Sequence, residues 1–370
     1  MATTPTPQPV PAAVRSRNDL EEHGVSFVAA DSLAPTQLPI KHDGATYTMA
    51  QETRWLDGVH FGVGRWDGSL SIFSFVDDPF QGPIISTAAS DPASEGVQMI
   101  CSLGPQTFVT SSGDTALAVW TAADGQWRSI SPKVYPYSSA FGAANSGVLM
   151  SGGSLLVVGH ANGFMTTWRV SGGGLALQAA VNVQNPKPVN PWNLHNVRGV
   201  ADAGSGLVVG GSEDGFLSVV YAATGAIVSQ TVYNASAQRG INAIALDRGG
   251  NLLVANCAVG PADSNLWYFT LTASAPKPVF RSSVNLRVNP NAPQVFNFST
   301  IWANAASGPC WFSSTEEGAL WMGTVNASTG AIVVYGYETV TSPLGSALAY
   351  QAGGDLVLAS YDIYEFTTGA

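Results

Sequence analysis

The chain has 370 residues, a net charge of -10, and 11% charged against 45% hydrophobic residues. Lysine occurs only at Lys41, Lys133, Lys187 and Lys277, and so thin a positive charge argues against nucleic acid or an anionic membrane surface as the main partner. The 40 glycines and 22 prolines break up long helices, and no run of about 18 apolar residues is present to span a bilayer.

Residues 1–20 read as a Pro-rich arm, extended or disordered, with no apolar core of a secretory signal. The expected setting is the cytoplasm or an assembled particle. Residues 21–370 read as one all-β domain. An isolated strand, Val25–Ala29, comes first. A hairpin unit then recurs: a short apolar strand, a polar turn ending in Gly, and an alternating strand. Val59–Phe75 turns at Trp66-Asp67-Gly68. Thr107–Trp120 turns at Gly113-Asp114. Ser154–Trp168 turns at Asn162-Gly163, and Gly206–Val220 at Asp214-Gly215. Asn251–Leu271, Cys310–Val325 and Asp355–Phe366 follow. Asn-Gly and Asp-Gly are strong hairpin signals.

Inner strands precede these hairpins, as at Val97–Ser102, Val197–Asp202, Ile241–Leu246 and Gly345–Tyr350. Outer strands follow, as at Ala226–Val232 and Ala331–Tyr337. The spacing predicts a seven-bladed β-propeller of four-stranded antiparallel blades at about 45–87, 97–130, 139–181, 197–232, 241–284, 297–337 and 345–366. The last blade has three strands of its own. Val25–Ala29 is expected to complete it and close the ring without an exposed edge.

The fourth unit, Leu194-His195-Asn196-Val197-Arg198-Gly199 leading to Val209-Gly210-Gly211-Ser212-Glu213-Asp214-Gly215, resembles a WD40 repeat. His195 stands where that family places the His of its Gly-His pair, and Trp120 and Trp168 stand where it places its Trp. Thr121 and Arg169 follow those tryptophans in place of the family's Asp. The resemblance implies a propeller and names no particular partner.

No catalytic signature is present. No GxSxG motif surrounds a serine, and the histidines are His23, His42, His60, His160 and His195, of which His60 and His160 suit packing or turn roles. Cys101, Cys257 and Cys310 sit in apolar runs as core residues. Asp202 and Asp247 end inner strands at equivalent places and suit turns. No cofactor or metal is expected.

The long connections Val76–Gly96, Ser131–Ser138, Asn182–Asn196 and Asn285–Phe296 should emerge on one face. Loops on a rigid scaffold are where binding concentrates. Phe80, Tyr135, Tyr137, Trp192 and Arg287 are therefore the candidate protein-binding surface. The reading is a non-enzymatic interaction platform for a protein partner. Two alternatives remain open: a structural component of a large assembly such as a virus particle, suggested by the Lys-poor composition, and an enzyme or small-molecule binder using the central channel.

Overall fold

A computed structural model describes residues 27–29, 49–74, 85–88, 96–112, 115–122, 127, 132–187, 193–234, 240–305, 308–339, 347–350, 355–359 and 363–368. The arm at 1–20 lies outside them. Apart from one 3-10 turn at Ser139–Phe141, the regular structure among these residues is antiparallel β-sheet.

The first sheet runs β2 (Ala50–Trp55), β3 (His60–Arg65), β4 (Ser69–Ser74), β5 (Ile85–Ala88). The second runs β6 (Ile100–Gly104), β7 (Thr107–Ser111), β8 (Ala116–Thr121), β9 (Lys133–Pro136). The third is β10 (Ala144–Leu149), β11 (Leu155–His160), β12 (Phe164–Ser171), β13 (Gly174–Asn182), and the fourth is β14 (Val197–Gly204), β15 (Leu207–Ser212), β16 (Phe216–Tyr221), β17 (Ile227–Val232). The run β18 (Ile241–Leu246), β19 (Asn251–Ala258), β20 (Leu266–Thr272), β21 (Ala275–Val284) is the fifth unit. The run β22 (Val295–Ala305), β23 (Gly308–Thr315), β24 (Ala319–Asn326), β25 (Ala331–Thr339) is the sixth. Pairing of Cys257 with Phe296 and Ala258 with Val295 joins these two into one larger sheet. The last sheet holds β26 (Ala347–Tyr350), β27 (Asp355–Ala359) and β28 (Ile363–Thr368), with β1 (Phe27–Ala29) antiparallel to β28.

Within each unit the order in the sheet follows the chain because tight turns leave no other choice. The turn after β18 is typical: Asp247 Oδ1 accepts from the Asn251 amide at 2.7 Å, and Gly250 takes φ 82°. Strands β4 and β15 are buried at every position, because a middle strand is covered by the neighbouring sheet on each face. The outer strand β17 has no fully buried residue.

The hydrophobic core lies between sheets. Leu207, Val209, Leu217 and Val219 pack on Ile241, Leu252, Val254 and Phe269. Met99, Val109 and Leu117 pack on Leu156, Val158 and Trp168. Phe61, Val63 and Phe73 of the first sheet pack on Ala349 and Ala359 of the last. Each such side chain contributes about 1.5–3 kcal/mol when fully buried. The first strands also pack on one another in chain order, from β2 on β6 through β22 on β26, and β26 packs on β2. They surround a central channel.

Glycine sets the closeness of this packing. A Cβ on Gly159 would stand 2.6 Å from Val197 Cγ1 and 2.8 Å from Val197 O. A Cβ on Gly64 would stand 2.5 Å from Val97 Cγ1. In each case the second strand of one sheet meets the start of the first strand of the next.

Two expectations need correction. Val76–Gly96 is not wholly a connection between units, since Ile85–Ala88 within it forms β5, paired with Ser69–Ile72 of β4. Ser131–Ser138 is not wholly a connection, and the second unit does not end at 130. Lys133–Pro136 forms β9, paired with Ala116–Val119 of β8. Pro132 and Pro136 suggest a loop, but proline is tolerated on an edge strand where its missing N–H faces away from the ladder.

Candidate functional site

The same irregularity recurs at the start of five first strands. The register skips between Ala50 and Glu52, Ala144 and Ser146, Val197 and Gly199, Ile241 and Ala243, and Asn297 and Ser299. The extra residues are Gln51, Asn145, Arg198, Asn242 and Phe298. A bulge leaves its extra residue outside the ladder and re-aims it. All five line a single cavity of about 300 Å³ at one end of the channel. Gln98, just ahead of β6, lines it as well, with Glu52, Trp66, Glu213 and Phe296. A second cavity of about 500 Å³ shares Glu52, Arg198, Ala243 and Ser299 and continues inward along the first strands.

The polar side chains of the mouth are interlocked. Arg198 Nη1 donates to Gln98 Oε1 at 3.0 Å, and its Nε lies 3.3 Å from Glu213 Oε1. Asn196 Nδ2 donates to Glu213 Oε2. Asn145 Nδ2 donates to Asn196 Oδ1 at 3.2 Å, and Asn242 Nδ2 to the Asn297 carbonyl at 3.0 Å. Asn145 is 5% exposed and its Oδ1 has no hydrogen-bond partner. Burial raises the pKa of Glu52 above the usual carboxylate range, against the opposing pull of Arg54, 3.7 Å away, and the Thr53 amide. Phe296 and Phe298 stack with centroids 5.4 Å apart, and Trp66 is 40% exposed.

A serine, a histidine and an aspartate also meet, but not as a nucleophilic triad. Asp214 Oδ1 accepts from Ser212 Oγ, while Oδ2 contacts His195 Nδ1 at 3.1 Å and accepts from the Asn185 amide at 2.7 Å. Nucleophilic catalysis puts the imidazole between hydroxyl and carboxylate; here the carboxylate stands between them and is fully buried. Asp214 ties the turn after β15 to the connections at Asn185 and His195.

His160 is buried, with Nε2 2.7 Å from Thr166 Oγ1, and burial pushes its pKa down to about 4. His60 pairs with Asp57 at 2.8 Å in the turn before β3. Asp202 accepts from the Gly204 amide at 2.8 Å and from Ser151 of the third sheet. Cys101, Cys257 and Cys310 are buried free thiols. Among the described residues no group of three or more His, Cys, Asp or Glu could hold a metal ion.

Of the five surface candidates, Phe80 and Trp192 lie outside the described residues. Tyr135 is half-buried in β9, with Lys133 Nζ 5.2 Å from its ring centroid. Tyr137 packs edge-on to His160 at 4.9 Å and near Phe141 and Trp168. Arg287 is 7% exposed and donates to the carbonyls of Ala292 and Gly260. Of the three described, Tyr135 and Tyr137 lie at β9 and beside the third sheet, and Arg287 lies in the connection between β21 and β22. The mouth residues escaped the sequence reading, although a signal was present: an apolar residue followed at once by an amide or Arg, in Ala50-Gln51, Val97-Gln98, Ala144-Asn145, Val197-Arg198 and Ile241-Asn242.

No protein-family model matches the chain, and no curated protein matches it. Solved structures do. The WD40 β-propeller domain of Doa1 shares 10% identity over 87% of this chain and 94% of that one, with a TM-score of 0.62. The β-propeller domain of Cps50 (Swd1) from Myceliophteria thermophila shares 12% over 87% and 97%, with a TM-score of 0.61. The fold is a WD40-like β-propeller. The computationally designed Ika8 protein is also similar, at 12% identity over 86% of this chain and 83% of its own, with a TM-score of 0.55. The units are antiparallel sheets, the fifth and sixth joined into one, and the bulged residues crown the channel at the end where the turns after β3 and β15 also open.

Proposed function

We propose that the chain is a non-enzymatic protein-interaction platform. In this reading it has seven four-stranded blades, with β1 completing the last blade and closing the ring. The partner meets the face at which the channel mouth opens.

The observation that carries this reading is a set of four exposed apolar side chains at one end of the sheets; of the other large ones among the described residues, Val134, Leu177, Ile227, Val232 and Val279 lie on outer strands and Val59 and Tyr221 at the other end. Trp66 and Val259 follow second strands, while Leu194 and Val288 lie in connections between sheets. They are 40%, 44%, 43% and 39% exposed. In an up-and-down sheet these two kinds of segment lie at the same end. Exposed apolar groups clustered on one face of a rigid scaffold mark interaction surfaces. Arg287 acts within this surface as a positioning residue. Its bonds to Ala292 and Gly260 hold the loop that carries Val288 against the turn that carries Val259. Tyr135, Tyr137 and Trp192 belong to its periphery in this proposal, and Phe80, which precedes β5 in the chain, does not.

Native co-purification of the tagged chain beside the double variant Trp66→Ser, Val288→Ser tests the reading. A stoichiometric partner bound by the native chain and lost from an equally stable variant supports it. A monomer without partner in both cases overturns it.

A further inference from the structure

The channel mouth has a chemistry of its own, independent of the platform reading. Three bulges and the position just ahead of β6 place carboxamides at Gln51, Asn145, Asn242 and Gln98 around one cavity. A carboxamide both donates and accepts, so such a ring matches a ligand whose groups do the same. The charges in the cavity are already matched. Glu213 meets Arg198 at 3.3 Å on the wall, and Glu52 is met at 3.7 Å by Arg54, which stands on the wall of the adjoining inner cavity. No surplus positive charge is left for a phosphate, and no surplus negative charge for a cation.

One group asks for a donor. Asn145 is only 5% exposed, it lines the cavity, and its Oδ1 accepts from no protein group. A buried acceptor left without a donor is unfavourable by about 1–3 kcal/mol. A ligand hydroxyl would relieve it. Apolar planes stand beside the amides: the stacked Phe296 and Phe298, and the half-exposed Trp66. The negative face of an aromatic ring attracts the polarised C–H groups of a ligand that is polar at its rim and apolar on its face. The volume of about 300 Å³ is at the small end of ligand sites.

We propose that the channel mouth is a binding site for a neutral carbohydrate, taking one monosaccharide residue. Its hydroxyls bond the carboxamide ring, one of them donating to Asn145 Oδ1, and its C–H face lies on the aromatic side of the cavity. Arg198 and Glu213 hold the wall in place by bonding each other.

Saturation-transfer NMR on the full chain tests this. The neutral probes are the methyl glycosides of glucose, galactose, mannose and N-acetylglucosamine, and the controls are inorganic phosphate, guanidinium and N-acetylglycine methylamide. The expected result is transfer to at least one glycoside. Asn145→Leu, which keeps the volume and removes the acceptor, should weaken binding roughly tenfold, as loss of one hydrogen bond does. Gln51→Ala, at a half-buried position outside the ladder, provides a second variant that keeps the fold and should also weaken it. Transfer to no glycoside, transfer unchanged in both variants, or binding of only the charged or peptide probes overturns the proposal. A partner found by co-purification leaves these outcomes unaffected, so the two readings fail separately.

Discussion

Arg198 and Gln98 are hydrogen-bonded at 3.0 Å although a whole sheet, the third, stands between their own. The bond runs across the channel mouth and braces strands β14 and the approach to β6. Arg198→Met removes it together with the charge-assisted contact to Glu213. The expected loss is about 1–2 kcal/mol, since both groups retain some solvent. A double-mutant cycle with Gln98→Leu, read by urea unfolding, should give a coupling of about 0.5–1.5 kcal/mol. A coupling near zero would mean that the contact does not brace the mouth.

Asp214 is the most heavily engaged buried acid of the fourth sheet. Asp214→Ala takes the carboxylate from His195 and the Asn185 amide and leaves Ser212 only the Phe216 carbonyl at 3.3 Å. Loss of such a buried network should reduce stability by about 2–4 kcal/mol. Ser212→Ala should lose less, because it orphans only one oxygen of the carboxylate. Equilibrium unfolding of the two variants checks the order.

His160 gives the protein a pH signature. Its folded pKa is down at about 4, against 6.5 in the unfolded chain. Between those values only the unfolded chain takes up the proton, so protonation favours unfolding. Its contribution is fully present above pH 6.5 and is lost as pH falls through that window to about 4. At about 1.4 kcal/mol per pKa unit the loss reaches roughly 3 kcal/mol. His160→Gln should show a flatter stability profile between pH 6.5 and 4 than the native chain, measured by unfolding at fixed pH steps.

Gly159 and Gly58 separate packing from chain entropy. Gly159→Ala forces a methyl against Val197 and should destabilise by about 1–3 kcal/mol. Gly58 has nothing within 4 Å of its Cβ position, so Gly58→Ala should be neutral or slightly stabilising. Thermal melts of both variants settle the comparison.

The pairing of Phe27–Ala29 with Phe366–Thr368 makes the N-terminal segment part of a sheet. Removal of residues 1–18 should leave the melting temperature unchanged. Removal of residues 1–44 should lower it sharply and promote association through the bared β28 edge. Equal melting temperatures for the two shortened chains would sink the proposed ring closure.

The fold was legible because turn chemistry is local. Asp214-Gly215 and Asn162-Gly163 announce their hairpins, and Ile241–Leu246 is a strand in both readings. The strand β9 was misread because Pro132 and Pro136 look like loop residues until the strand is known to be an edge. The mouth was illegible for a different reason. Strand reading relies on alternation of period two, and an extra residue breaks that period at the very position that matters. Gln51 and Glu52 are neighbours that line the same cavity, an arrangement regular alternation forbids. Arg287 shows the opposite case: a cation in a long loop suggests a surface contact, yet it is 7% exposed and loop carbonyls accept from Nη1 and Nη2.

The bulges have an evolutionary consequence. A residue outside the ladder is not part of the strand pairing, so its side chain can be exchanged while the strand, its register and its core neighbours stay as they are. Gln51, Asn145, Arg198, Asn242 and Phe298 already differ from one another while occupying one geometric position. The molecule thus separates what must be kept from what is free to drift, and new specificities at the mouth are reachable by single substitutions without an intermediate that fails to fold.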